Sequence, residues 1–283
     1  MMLRRVRDSR ADAEAVHSVA VGADAGGSWS ERRTAAFRRR VRYLAATDPD
    51  GCWLAEDEAG EPVGAALAAR REGLWVLSLL AVAPPARGKG VGTELMRRAM
   101  AYGRGTLRGM ICATPHSAAA RVYRAAGFGV HPSMRLAGTV DAARLTVPDG
   151  PAIEGGPAHR DLMDSVDRRL RGSAHGPDHG ELLLHCRVVV ADDLAGSGYC
   201  YLDDEGSVEL LAATSRRIAV RLLTSALLSL PPGSDATVRH LTAEQDWALD
   251  VGFAAGLDLA PDGYVCLRGM RPPAPYLPSP RFL

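Results

Sequence analysis

Between Leu77 and Thr93 an apolar run passes directly into a basic, glycine-rich turn, and the turn into a helical pattern. No other stretch constrains the fold as tightly, because strand, tight turn and helix must follow one another without a spacer. Gly88, Gly90 and Gly92 allow backbone N–H groups to face one point. A helix opening near Val91 adds the positive end of its dipole at that point. The stretch predicts a cradle for an anion of the phosphate type.

Two familiar glycine motifs do not fit. A Walker loop needs glycine five residues before Gly88 and Ser or Thr after Lys89, where the chain has Ala83 and Gly90. A dinucleotide fingerprint needs glycine at position 93, which is Thr93, and an acidic residue about twenty positions on, where Cys112 and Ala113 stand. What remains is Val82-x-Pro84-x-x-Arg87-Gly88-x-Gly90-x-Gly92. This resembles the coenzyme A loop of the GNAT acetyltransferase superfamily, whose core spacing is Gln/Arg-x-x-Gly-x-Gly/Ala. Downstream, Ala118–Phe128 resembles the family's second signature, a helix with a tyrosine four residues before a Gly-Phe pair, and Tyr123 takes that place. The apolar run Leu107–Ala113 lies between them as the intervening strand.

Composition sets separate limits. At 283 residues and 47% hydrophobic content the chain is long enough for two domains with their own cores. No apolar run approaches the ~18 residues of a membrane span, and no apolar segment follows the basic N-terminal residues, so a cytoplasmic protein without a membrane partner is expected. The five cysteines lack Cys-x-x-Cys spacing and read as core thiols. A net charge of +1 argues against nucleic acid as the partner. Of the 34 basic residues only Lys89 is a lysine. Arg-for-Lys usage in a GC-rich genome accounts for this, and so does a preference for a compact point charge in the loop. The patch Arg38–Arg42 lies on a helix starting near Ser30 whose apolar stripe is Phe37, Val41 and Leu44, and it reads as a solvated face.

The expected fold class is α+β, with two tandem GNAT-like domains, each a mostly antiparallel sheet flanked by helices. Ser9 and Asp12 form a capping pair before a helix over Ala13–Val21. Gly22–Ser28 has loop composition. Cys52–Asp57, Pro62–Arg70 and Leu74–Val82 read as successive antiparallel strands, and Val91–Tyr102 as a helix with Val91, Leu95, Ala99 and Tyr102 along one stripe. Asp141–Pro157 reads as a boundary, giving an N-terminal domain over 1–140, a linker over 141–156 and a C-terminal domain over 157–283 with a proline-rich tail. Past the boundary the plan repeats at an offset of roughly 130 residues: Arg187–Gly196 echoes Cys52–Gly60, Val208–Thr214 echoes the strand ending at Val82, and Ala254–Gly256 echoes Ala125–Gly127. The second copy has Ser215–Val220, without glycine, in place of the loop, and Gly252 in place of the tyrosine. It is expected to be degenerate, leaving one active site in the N-terminal half.

The resemblance implies an acetyl-CoA-dependent N-acetyltransferase acting on a primary amine by direct attack in a ternary complex, as a monomer (a pseudo-dimer of domains) or a homodimer. It implies that the backbone of Leu80, Ala81 and Val82 meets the pantetheine arm. Arg87, Gly88, Lys89, Gly90, Val91, Gly92 and Thr93 would hold the pyrophosphate, with Tyr123 as the acid toward the sulfur. A phenol, titrating near ~10, carries its proton at neutral pH. Where many members have asparagine stands His116, a candidate for a cofactor contact or base and equally an ordinary helix-start histidine. Val76 stands where some members have glutamate, so the base is open among Ser78, Glu31, Glu56, His17 and ordered water. No metal is expected; His175, Asp178, His179 and His185 form a histidine-rich loop without a third ligand at a recognised spacing. The alternative function is a non-catalytic acyl-CoA sensor.

Overall fold

The most deeply buried strand of the N-terminal half is built from small residues. Ala65, Ala66, Leu67, Ala68 and Ala69 on β3 (Pro62–Arg71) are all inaccessible, so helices cover both faces of that strand. The computed structural model describes residues 1–24 and 29–283; of the expected loop Gly22–Ser28, residues 25–28 lie outside the described residues. By packing, the chain divides into one unit of Met1–Met110 with Ser117–Phe128 and a second of Ile111–His116 with Gly129–Leu283.

In the first unit β1 (Met2–Arg5), β2 (Cys52–Glu56), β3 and β4 (Leu74–Val82) pair antiparallel in that order. Helix α1 (Arg10–Ala23) is capped by Ser9, whose side chain accepts from Asp12 N, and it runs through Gly22 and Ala23, two residues the sequence reading gave to the loop. Helix α2 (Glu31–Thr47) is capped by Ser30, and it buries Phe37, Val41 and Leu44 as its spacing requires. Arg38 and Arg42 pair outward with Glu14 and Asp8. Helix α3 (Val91–Tyr102) packs on β2, β3 and β4. A methyl group on Gly64 of β3 would stand 2.9 Å from both Val91 and Leu95, so glycine there permits the close approach. Asp48, buried at the end of α2, accepts from Arg71 on β3 and from the Tyr102 hydroxyl on α3, tying three elements together. Burial and that carboxylate push the Tyr102 phenol up to about 12.

Strand β5 (Arg108–Ala113) is shared between the units, and α4 (Ser117–Ala125) returns to the first. Strand β6 (Gly129–Thr139), which follows the first copy in sequence, packs in the second unit. There it runs antiparallel between β11 (Asp235–Leu241) and β12 (Asp258–Arg268). The segment expected as a linker is also held in this unit: β7 (Ile153–Glu154) pairs with β8 (Cys186–Asp193), and Asp149 binds Arg217 and Arg221.

Helices α5 (Arg160–Arg171) and α6 (Asp178–Leu182) precede β8. Then β8, β9 (Gly196–Asp203), β10 (Ser207–Ala213), α7 (Arg216–Leu228), β11, α8 (Asp246–Ala254) and β12 repeat the order of β2, β3, β4, α3, β5, α4 and β6. The strands β8, β9 and β10 pair antiparallel, β10 and β11 parallel. The core between α7, α8 and this sheet includes Leu211, Leu222, Leu223, Val238 and Trp247. A short strand β13 (Tyr276–Leu277) pairs with β10.

Candidate active site

The turn after β4 has the geometry its glycines require. Gly88 and Gly90 sit at φ +77° and +80°, in the left-handed region, and a Cβ added to either would meet nothing within 4 Å. Gly90 is the N-cap of α3 and, being glycine, gives the helix no side-chain cap bond. The N–H groups of Val91, Gly92 and Thr93 are therefore first-turn donors without an intrahelical acceptor, at the positive end of the dipole. The first helical bond comes one residue later, from Glu94 N to Gly90 O at 3.0 Å. Lys89 is exposed in the same turn. Glu94 is held by Arg97 and Arg98, and those arginines pull its carboxyl down to about 2. The fixed anion thus lies along the helix, partnered within its own turn.

Arg87 is placed differently from its neighbours. Its guanidinium donates to Val82 O at 3.1 Å and to Ala23 O at 2.9 Å, so its side chain ties the end of β4 to the end of α1. Helix α1 has no basic residue in its last turn, and Arg87 supplies the cation its C-terminal carbonyls favour. Leu80, Ala81 and Val82 are the last three residues of β4 before the cradle, with Ala81 buried and Leu80 and Val82 half-buried. Upstream of them the register with β3 slips by one residue.

Tyr123 lies on α4, which packs on α3, and it is the buried residue of that helix. Its carbonyl accepts from Phe128 N at 3.1 Å, closing the helix into the following strand. His116 is exposed just before α4. Among the other candidate bases, Glu56 is bound to Arg4, and Glu31 is exposed in the first turn of α2. His17 is half-buried against Trp29 and Phe37, with Nε2 3.2 Å from Thr34 Oγ1. Burial and Arg38 lower the pKa of His17, so its imidazole is neutral at neutral pH.

In the second unit the corresponding turn is closed. Ser215 caps α7 by accepting from Ile218 N, and its hydroxyl donates to Ala195 O. Gly252 on α8 is packed against Leu136, where a Cβ would lie 2.4 Å from a methyl group.

The histidine-rich loop draws in a partner that its spacing did not reveal. His175 and His179 converge on Asp167 of α5, all three fully buried; Asp178 is buried too and His185 half-buried, but neither belongs to this trio. His175 Nδ1 lies 2.7 Å from Asp167 Oδ2 and His179 Nε2 3.2 Å. Arg171 Nη1 is 2.7 Å from His175 Nε2, so that nitrogen accepts and Nδ1 carries the proton donated to Asp167. Tyr199 donates to the other carboxylate oxygen, and Tyr201 lies 3.1 Å from His179 Nδ1. Both nitrogens of His175 are thus engaged by protein groups, one by a cation, and the trio forms a buried hydrogen-bonded network. Burial and Arg171 hold His175 down at about 3, while its histidine partners hold Asp167 below the usual carboxylate range.

Residues 19–128 match the sequence profile of the Acetyltransferase (GNAT) family. Over that stretch the chain is similar to the GNAT family. No curated protein sequence matches the chain significantly. The fold of the whole chain is that of tandem GNAT proteins. A candidate acetyltransferase from Pyrococcus horikoshii superposes with TM-score 0.76 at 17% identity over 100% of this chain and 95% of its own. A tandem GNAT protein from the clavulanic acid biosynthesis pathway gives TM-score 0.62 at 12% identity, covering 95% of this chain and 99% of its own. A GCN5-related N-acetyltransferase from Sphaerobacter thermophilus gives 0.59 at 15%, covering 96% of each. The GNAT family is one of acyltransferases, and the glycine cradle lies inside the matched segment. Among the described residues, no helix is long and apolar enough to cross a membrane.

Proposed function

We propose that the first unit is an acetyl-CoA-dependent N-acetyltransferase acting on a primary amine by direct attack in a ternary complex. The observation that carries this reading is the turn at Gly88–Thr93. It combines two left-handed glycines, open space beside them and uncapped first-turn N–H groups, the form a pyrophosphate fits. When bound, acetyl-CoA supplies the activated acyl group. Val91, Gly92 and Thr93 N–H groups would hold the pyrophosphate, with Lys89 adding a point charge. Leu80, Ala81 and Val82 would offer backbone groups along the arm. Tyr123 would protonate the departing sulfur, and His17, neutral on α1, is one candidate base beside ordered water. Such acid–base assistance contributes typically ~10²–10⁴-fold.

The test is calorimetric titration of acetyl-CoA into the parent and into Gly90→Glu. A carboxylate at the helix N-cap, in a left-handed position, opposes both the anion and the backbone geometry. Binding by the parent and none by the variant is expected; equal binding by both would remove the cradle from the reading. Binding without release of free thiol in the presence of any amine would favour the acyl-CoA sensor instead.

A further inference from the structure

In both units the strand that leads into the turn carries one unmatched residue. Along β4, Leu77 stands opposite Ala68 and Leu79 opposite Leu67, which leaves Ser78 as a bulge. Along β10, Val208 stands opposite Leu202 and Leu210 opposite Tyr201, which leaves Glu209 as a bulge. Each lies four residues before the end of its strand, Val82 in one case and Ala213 in the other. The two bulges are the same feature in two copies.

In the second unit the surroundings of the bulge are complete. β10 and β11 pair only at Ser207–Val208, and β9 occupies the other edge of β10 throughout. Further along β10, beyond its pairing with β11, β13 takes the edge, with Leu277 opposite Leu211 and Tyr276 opposite Ala212. The same segment of chain satisfies the bulge: Glu209, 4% exposed, accepts from Ser279 Oγ at 3.3 Å and pairs with Arg281 at 3.1 Å. Gln245 clamps the segment's backbone, donating to Pro273 O and accepting from Tyr276 N. An extended peptide thus lies along the strand edge and partners the bulge side chain.

In the first unit the bulge side chain is Ser78, and its Oγ is buried with no hydrogen-bond partner among the described residues. A buried hydroxyl left unpartnered is costly, and such a group in a native fold needs an explanation. We infer that Ser78 contacts the ligand: its hydroxyl hydrogen-bonds the acyl-pantetheine arm of acetyl-CoA, which takes along β4 the place that residues 276–281 take along β10. This rests on the acetyl-CoA reading above.

Ser78→Ala and Ser78→Thr test it, each titrated with acetyl-CoA and with adenosine 3′,5′-bisphosphate, which has no pantetheine arm. Ser78→Ala should weaken acetyl-CoA about 5- to 20-fold, the worth of one hydrogen bond, and leave the bisphosphate unchanged. Ser78→Thr, which keeps the hydroxyl, should recover most of the loss. The melting temperature of unliganded Ser78→Ala should equal or exceed that of the parent, because no protein hydrogen bond is lost. Acetyl-CoA affinity within twofold of the parent would overturn the assignment, as would equal weakening of both ligands with a lowered melting temperature, the mark of a structural role. If the parent binds neither ligand, the acetyl-CoA reading fails and this assignment falls with it; binding by the parent alongside an indifferent Ser78→Ala refutes Ser78 alone.

Discussion

The turns after β4 and β10 leave similar strands and enter similar helices, yet they treat the helix N-terminus in opposite ways. After β4, Gly90 at φ +80° ends the turn and leaves the first N–H groups of α3 without a side-chain cap. After β10, Ser215 stands at the same place with extended backbone and gives its oxygen to Ile218 N. The first arrangement forgoes a side-chain cap, at a cost of a few tenths of a kcal/mol for glycine in place of serine, and leaves its first-turn donors open. The second recovers the cap and uses a donor. The scaffold is kept in both; the two turns differ in who satisfies a few backbone groups.

If the second unit is a structural copy, its polar core should matter to stability and not to the cofactor. Asp167→Asn removes the charge that His175, His179 and Tyr199 hydrogen-bond, and should cost about 1.5–3 kcal/mol in urea unfolding, the worth of hydrogen bonds to a buried charged group. Acetyl-CoA affinity of the folded variant should stay within twofold. A large loss of affinity would end the division of labour.

In the first unit, Tyr123→Phe should lower kcat about 100-fold while the acetyl-CoA Kd changes less than twofold. Equal kcat would return Tyr123 to packing.

The pH dependence sharpens the contrast further. His175 is held at about 3 in the folded chain against an ordinary 6.5, so the unfolded state binds the extra proton. Stability from this group is fully present above pH 6.5 and declines as pH falls toward 3, at about 1.4 kcal/mol per unit once well below 6.5. His240, pushed to about 4 by burial, acts in the same direction. Urea midpoints at pH 7.5 and 5 would show it, and His175→Gln should shrink the difference. The smallest effect is expected at Lys89: exposed in the turn, it should tolerate Lys89→Arg with less than a twofold change in the acetyl-CoA Kd.

Much of the first unit was legible because its signals are local. Ser9 and Ser30 mark helix starts through their own side chains, α3 shows its stripe in one span, and Gly88 and Gly90 announce positive φ. The repeat of the plan in the second half was legible for the same reason. What stayed hidden depends on partners distant in sequence. Ser78 is a bulge only in relation to the register of β3. Asp167 meets His175 across the turn after α5, eight residues away and at no metal-ligand spacing. The side chain of Arg87 reaches Ala23 rather than standing free, and nothing in the loop motif tells where a long side chain will find its acceptors. The reading of 141–156 as a linker followed its Pro and Gly content, which says nothing of Asp149 finding Arg217 and Arg221.

One feature of the fold bears on how such a protein can be inherited. Gly129–Thr139 comes after the first copy in the polypeptide but sits as an interior strand of the other packing unit, flanked on both sides. No single crossover in the gene separates the two packing units: an exchange at residue 140 would carry away the middle strand of the half left behind. The two halves can drift apart in chemistry, but they must be exchanged as one block.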